Sequence, residues 1–456
     1  MSVAALPATR PRSLFGRGLF AASLGAIALV SLMAFEAMAI AAAMPAIAAA
    51  LDGLRWYALA FGGMLATSVF GMVLAGRSCD RDGPLRAASI GLVLFTAGLL
   101  LAGAAPGMGW LVAGRIVQGL GSGMLGVALY AGMGRVVPAA LHPRLFALMA
   151  AAWVVPALVG PGIAAWLVAH WGWRAVFLVA AALAPFAALL LLPAFARLVR
   201  PETSAATSGA RLGWAALAAV GALLLHAASN GSAAGLVLGS VGAGLAAAWI
   251  ASTRLLPAGS LAAAAGLPAV IALRGLLASA FASGEAFLPL YLTRQHAWTL
   301  AEAGLLLSAG AVMWSAGSAL QARLSADRDR HRGLQLGFGA VAAGLALVAL
   351  TSAFEVTVWT VVPGWALAGF GIGLSFPMLS VLTLALSTPA EQGRNASALQ
   401  LSDALGSSAL LAVCGALFNL GGEGGPRGYA LVFGSAALVA LVGAGVSRRA
   451  FASLRS

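Results

Sequence analysis

Fourteen apolar runs, separated by short polar or charged breaks, occupy nearly the whole of this 456-residue chain. A membrane span needs about 20 predominantly apolar residues. The runs fall near 19–50, 55–76, 86–105, 109–132, 146–169, 174–196, 213–229, 233–252, 268–293, 300–321, 333–352, 358–386, 396–419 and 427–446. Inside hydrocarbon, backbone N–H and C=O groups can be satisfied only within helices or a closed barrel, and long unbroken apolar runs predict helices. The expected fold is therefore an all-α polytopic membrane protein. Only 9% of the residues are charged and 61% are hydrophobic, against about one quarter charged in soluble domains. The sizeable polar breaks, 197–212 and 322–332, are too short to hold a soluble domain.

A net charge of +13 suggests an anionic partner until the charges are located. All 26 basic residues are Arg, and with the N-terminus inside the cell, twenty fall in cytoplasmic segments. The other side holds only Arg55, Arg174, Arg294 and Arg427, while Arg115 and Arg274 lie within spans. Basic residues collect on the cytoplasmic side of membrane proteins, so topology accounts for the excess and no nucleic-acid partner is expected. Both termini are placed in the cytoplasm, and Trp56, Trp110, Trp171, Trp173, Trp298 and Trp359 fall near outer helix ends, where amphipathic rings sit at headgroup level. The first run exceeds the roughly 7–15 residues of a signal-peptide core, so it reads as a retained helix despite Ala37-Met38-Ala39. Cys79 lies in a cytoplasmic loop and Cys414 in a span, an arrangement that does not predict a disulfide.

Two internal echoes have nearly one offset. Asp80-Arg81-Asp82 recurs as Asp327-Arg328-Asp329 after 247 residues, and Gly119-Leu120-Gly121-Ser122-Gly123 recurs as Gly369-Phe370-Gly371-Ile372-Gly373 after 250. They predict a duplicated six-helix unit, as in transporters built from parallel repeats. The surplus in the offset matches a helix pair between the halves. The expected layout is an N-terminal six-helix bundle at 1–196, a cytoplasmic linker at 197–212, an extra helix pair at 213–252 and a C-terminal six-helix bundle at 253–456.

The residues between the second and third runs read Gly76-Arg77-Ser78-Cys79-Asp80-Arg81-Asp82-Gly83-Pro84-Leu85-Arg86. This resembles the loop signature of the major facilitator superfamily, with Pro84 and Leu85 in place of its usual basic pair. The resemblance implies a conformational switch at Gly76, Asp80, Arg81, Gly83 and Arg86, with Asp80 accepting from a facing helix N-terminus. Arg115-Ile116-Val117-Gln118-Gly119 looks like the family's Arg-x-x-Gln-Gly signature, and a spacing of three sets Arg115 and Gln118 on one helix face. Pro156 with Gly160-Pro161 resembles the antiporter signature, with Ala164 and Ala165 replacing its closing glycines. Missing helical hydrogen bonds and close approach predict a bend there. Trp171-Gly172-Trp173-Arg174, followed by Phe177, is similar to the start of the family's sixth helix. Gly121-x-Gly123-x-x-Gly126 matches a dinucleotide fingerprint literally, but no strand precedes it and helix packing explains it better.

Glu36 stands nine residues before Pro45, similar to an Asp in fourteen-helix drug/proton antiporters, with Met38 where that stretch has Thr. An ionisable group inside the membrane is a functional-site candidate by default, and an apolar medium favours a carboxyl's protonated form. Glu36 is the expected proton-coupling residue. Glu285 and Asp403 are further carboxylates within spans, and Glu285 lies eleven residues from Arg274, nearly in line on one helix. Each is a candidate to carry protons or meet a cation, against the plainer alternative of a structural ion pair. His226 reads as a packing residue.

The resemblance implies a proton-coupled antiporter of the inner membrane that exports lipophilic or cationic small molecules, with the bilayer, protons and the substrate as its partners. Major facilitator transport of a metabolite or siderophore is the nearest alternative, and a membrane enzyme or sensor a distant one. No nucleophile–base pair or metal-ligand spacing occurs, so no enzyme activity, metal or cofactor is expected, and a monomer is the default.

Overall fold

The structure is a computed structural model and describes residues 13–16, 18–198, 209–228, 234–324, 327–354, 356–388, 391–422 and 424–454. The first bundle runs α1 (Phe20–Ala50), α2 (Tyr57–Asp82), α3 (Pro84–Gly103), α4 (Met108–Val136), α5 (His142–Ala151), α6 (Val154–Trp171) and α7 (Arg174–Ala196). A pair follows, α8 (Gly209–Ala228) and α9 (Ala234–Leu255). The second bundle runs α10 (Leu267–Gln295), α11 (Leu300–Gln321), α12 (Asp327–Ala353), α13 (Val361–Ala385), α14 (Gln392–Leu420) and α15 (Pro426–Val446). Among the described residues, thirteen segments are long and apolar enough to cross a membrane, with α5 and α6 sharing one crossing. The helix α9 is a further long helix that is not among those thirteen. The expected linker at 197–212 lies largely outside the described residues.

Small residues decide how closely these helices approach, since helices in lipid associate through packing rather than through expulsion of water. A methyl group on Gly119 or Gly123 of α4 would overlap the carbonyl oxygens of Met64 or Ser68 on α2, and one on Gly121 would overlap the Phe95 amide of α3. In the second bundle Gly369 and Gly373 of α13 press in the same way on the Gly310 and Trp314 carbonyls of α11, and Gly371 on Gly337 of α12. The glycine echo thus marks equivalent helices making equivalent contacts. The Asp-Arg-Asp echo falls at the α2–α3 connection and again at the α11–α12 connection, although the second copy's side chains lie outside the described residues.

The fifth crossing is interrupted just before Pro156, one of the residues of the expected bend with Gly160 and Pro161. The break falls at Ala152 and Trp153, because Pro156 carries no N–H for the Ala152 carbonyl and its ring crowds that turn. Gly160 and Pro161 lie inside the continuous α6, where Gly160 faces Phe35 and Met38 of α1 and Pro161 faces Gly304 of α11.

The halves meet where α2 packs on α14, α6 on α11, and α1 on α10 and α11. The helix α8 packs on both α2 and α14, covering that seam, and its buried His226 fills the space left by Gly62 of α2. Trp56, Trp110, Trp171 and Trp359 are exposed at one end of the molecule, the end where α1 gives way to α2.

Candidate functional site

At the middle of α1, Glu36 is held by α4. Arg115 donates from one terminal guanidinium nitrogen to Glu36 Oε1 at 2.5 Å and to Gln118 Oε1 at 2.7 Å, while its Nε donates to the Ala60 carbonyl of α2 at 3.1 Å. The close α2–α4 approach set by Gly119 brings that carbonyl within reach. The side chains of Glu36 and Arg115 are 1% and 4% exposed, so the pair is sealed from solvent. Burial of either charge alone would cost several kcal/mol, and the pair therefore ties α1 to α4. The Gln118 amide nitrogen is buried with no hydrogen-bond partner among the described residues, a donor suited to a water beside the carboxylate.

A second pair lies in the other bundle. Arg274 of α10 donates through Nε to both carboxylate oxygens of Asp403 on α14, at 2.8 and 3.0 Å, and reaches Ser380 and the Phe376 carbonyl of α13. Its guanidinium carbon lies 3.1 Å from the centre of the Phe376 ring, a cation–π contact. Asp403 is 23% exposed, so this pair, unlike the first, borders open space. The in-line spacing with Glu285 does not select Arg274's partner. Glu285 is half-buried and forms no hydrogen bond or ion pair among the described residues.

Next to Glu285 the halves are closed. Tyr57 of α2 donates its hydroxyl to the Ala286 carbonyl of α10 at 2.7 Å and packs against Phe61 and Phe287, with Phe418 and Tyr429 continuing the aromatic group. Ser408 of α14 donates to the Gly62 carbonyl, and Ser308 of α11 to the Leu158 carbonyl. These cross-half bonds gather from the Trp56 end to mid-depth.

At the opposite end Gly83 takes a positive φ of 84° between α2 and α3, Pro84 opens α3, and Arg86 pairs with Asp82 at 2.8 Å. Asp80 and Arg81 are exposed, and Gly76 has open space around it. Sequence reasoning missed the Tyr57 plug and the aromatic side chains around Arg274. Fully apolar helices carry no periodicity to single such residues out.

The sequence profile described as the Major Facilitator Superfamily matches residues 24–411 and, in an overlapping stretch, 286–451. The chain is 29% identical over 427 residues to a "probable multidrug-efflux transporter" of Mycobacterium tuberculosis, covering 86% of each protein. It is 28% identical over 413 residues to a "probable actinorhodin transporter" of Streptomyces coelicolor, covering 82% of this chain and 68% of that one. A solved POT family transporter in complex with 5-aminolevulinic acid shares the fold at a TM-score of 0.70 and 15% identity, over 96% and 97% of the two chains. A human organic anion transporter does so at 0.61 and 14%, over 94% and 99%.

Proposed function

The chain belongs to the major facilitator superfamily, and from that premise we propose that it exports lipophilic or cationic small molecules across the cell membrane in exchange for protons. The observation that carries this reading is the sealed Glu36–Arg115–Gln118 cluster joining α1 to α4. A proton taken up by Glu36 removes one charge of a buried pair and leaves Arg115 uncompensated, which shifts the balance between two packings of α1. Because α1 also touches α10 and α11 of the other half, protonation and rocking of the halves are coupled.

The charge distribution supports a topology with both termini in the cytoplasm, placing the Trp56 end outside. The conformer closed at that end, with Glu36 charged and paired, then corresponds to the inward-facing state. On the return, Glu36 is neutral while it faces outward and releases its proton inside. Asp80, exposed here, serves in the same reading as a latch of the outward-facing state. Asp80→Asn then enriches the inward-facing population in spin-label distance measurements, and an unchanged distribution removes that role.

The relatives named for multidrug efflux support export of varied compounds, whereas the likeness to an actinorhodin transporter favours a single specific metabolite as a second reading. Proteoliposomes with an imposed pH gradient and a panel of cationic, neutral and anionic dyes separate the two. We expect gradient-driven flux of several unrelated lipophilic cations, abolished by a protonophore. Flux indifferent to the gradient defeats proton coupling, and flux confined to one chemical class favours the specific-metabolite reading.

A further inference from the structure

Along α10 the half-buried residues Ala278, Ala282 and Glu285 follow one another at spacings of four and three, which is one stripe on one helix face. Elsewhere α10 packs chiefly against α13, α14 and α15, and also touches α1, α11 and α12. Arg274 continues the stripe one turn before Ala278, and its charge is already met by Asp403. The carboxylate of Glu285 has no such partner among the described residues. The stripe therefore carries one carboxyl with no cationic partner among the described residues.

One turn before Glu285 stands an aromatic group contributed by three helices. Phe281 of α10 stacks on Trp365 of α13, with ring centres 4.8 Å apart, and meets Trp314 of α11 edge-on at 5.4 Å. Trp314 in turn meets Phe376 of α13 edge-on at 5.5 Å. Trp365 is 1% exposed and serves as the floor of the group, whereas Trp314 and Phe376 are half-buried. The Arg274 guanidinium sits against Phe376, whereas no cation lies over the Trp314 ring among the described residues.

An aromatic face attracts a cation through its quadrupole, most strongly for Trp and more so when water is displaced. Side chains four apart on a helix are neighbours, so Phe281 places the aromatic group beside the Glu285 carboxylate. We propose that Glu285, Phe281 and Trp314 form a cargo subsite in the second half of the transporter for a flat aromatic cation. The rings of the cargo lie on Trp314 and its positive charge meets Glu285.

The subsite rests on the export reading above and divides its work. Glu36, sealed in its ion pair, handles the proton; Glu285, with no cationic partner among the described residues, handles cargo charge. Its position fits a transport path as well. The next residue, Ala286, accepts the Tyr57 hydroxyl that closes the Trp56 end, so cargo held at Glu285 lies directly under the closed seam and is released when the seam parts.

Equilibrium binding to the purified full-length protein in nanodiscs tests this, with ethidium as the cation and phenanthridine, neutral at pH 8, as its uncharged counterpart. We expect Glu285→Gln to weaken ethidium binding about tenfold and phenanthridine binding less than about twofold, since only the first carries a charge. Glu285→Asp should keep most of the ethidium affinity, and Trp314→Leu should weaken both ligands. Native-like ethidium affinity in the Gln variant overturns the subsite, as does an equal loss of both ligands there or an absence of ethidium binding to the native protein. Failure here is distinguishable from failure of the export reading. Gradient-driven flux that persists while ethidium binding ignores Glu285 removes the subsite alone, and Glu285-dependent binding without gradient-driven flux removes proton-coupled export alone.

Discussion

At the scale of single residues, the charges inside apolar runs were legible and their pairing was not. Glu36, Arg115 and Gln118 stand out because ionisable and amide groups in hydrocarbon need partners. Nothing in the sequence relates Glu36 to Arg115 across 79 positions, however, because two helices fix no register by pattern alone. The same limit misdirects Arg274. Helical spacing points along α10 to Glu285, whereas packing of α10 on α14 presents Asp403 at 2.8 Å. The Glu36–Arg115 geometry carries a stability prediction. Removing one member of a buried ion pair leaves an uncompensated charge and costs about 3–5 kcal/mol, so Arg115→Met should markedly lower the thermal unfolding midpoint of the detergent-solubilised protein. Adding Glu36→Gln to it should recover most of the loss. A single variant as stable as the native chain would mean that the pair does not hold α1 to α4.

At the scale of elements, the helices follow from run length, and their close contacts follow from glycine spacing. The echo between Gly119-x-Gly121-x-Gly123 and Gly369-x-Gly371-x-Gly373 marked α4 and α13 as equivalent before any contact was known, since only small residues admit backbone at such range. The carbonyls of Met64, Ser68, Gly310 and Trp314 occupy the spaces that side chains would fill. Substitution should follow that geometry. Gly123→Val and Gly373→Val should sharply reduce the yield of monodisperse protein, while Gly126→Val, with nothing within 4 Å of the added carbon, should leave it near native. Equal yields for all three would show that α4 approaches α2 by some other face. The broken fifth crossing was half-legible. A proline-rich span announces a distortion, and Pro156 acts on the carbonyl four residues before it, so the interruption between α5 and α6 falls at Ala152 and Trp153.

At the scale of the whole molecule, two bundles with an added pair α8–α9 were legible from span count and repeat offset. The seam was not, because α2–α14 and α6–α11 contacts join residues far apart in sequence through apolar surfaces without distinguishing pattern. The conformer, closed by Tyr57 and its aromatic neighbours at the Trp56 end, gives the central claim its form: Glu36 couples one proton to the exchange between this packing and its opposite. The most direct measurement compares, in proteoliposomes, uphill cargo movement driven by a pH gradient with cargo exchange at equilibrium. In Glu36→Gln, uphill movement should be lost while equilibrium exchange continues, and Glu36→Asp should retain part of both. Gradient-driven uphill movement at the native rate in the Gln variant would contradict the claim and assign proton coupling to another residue.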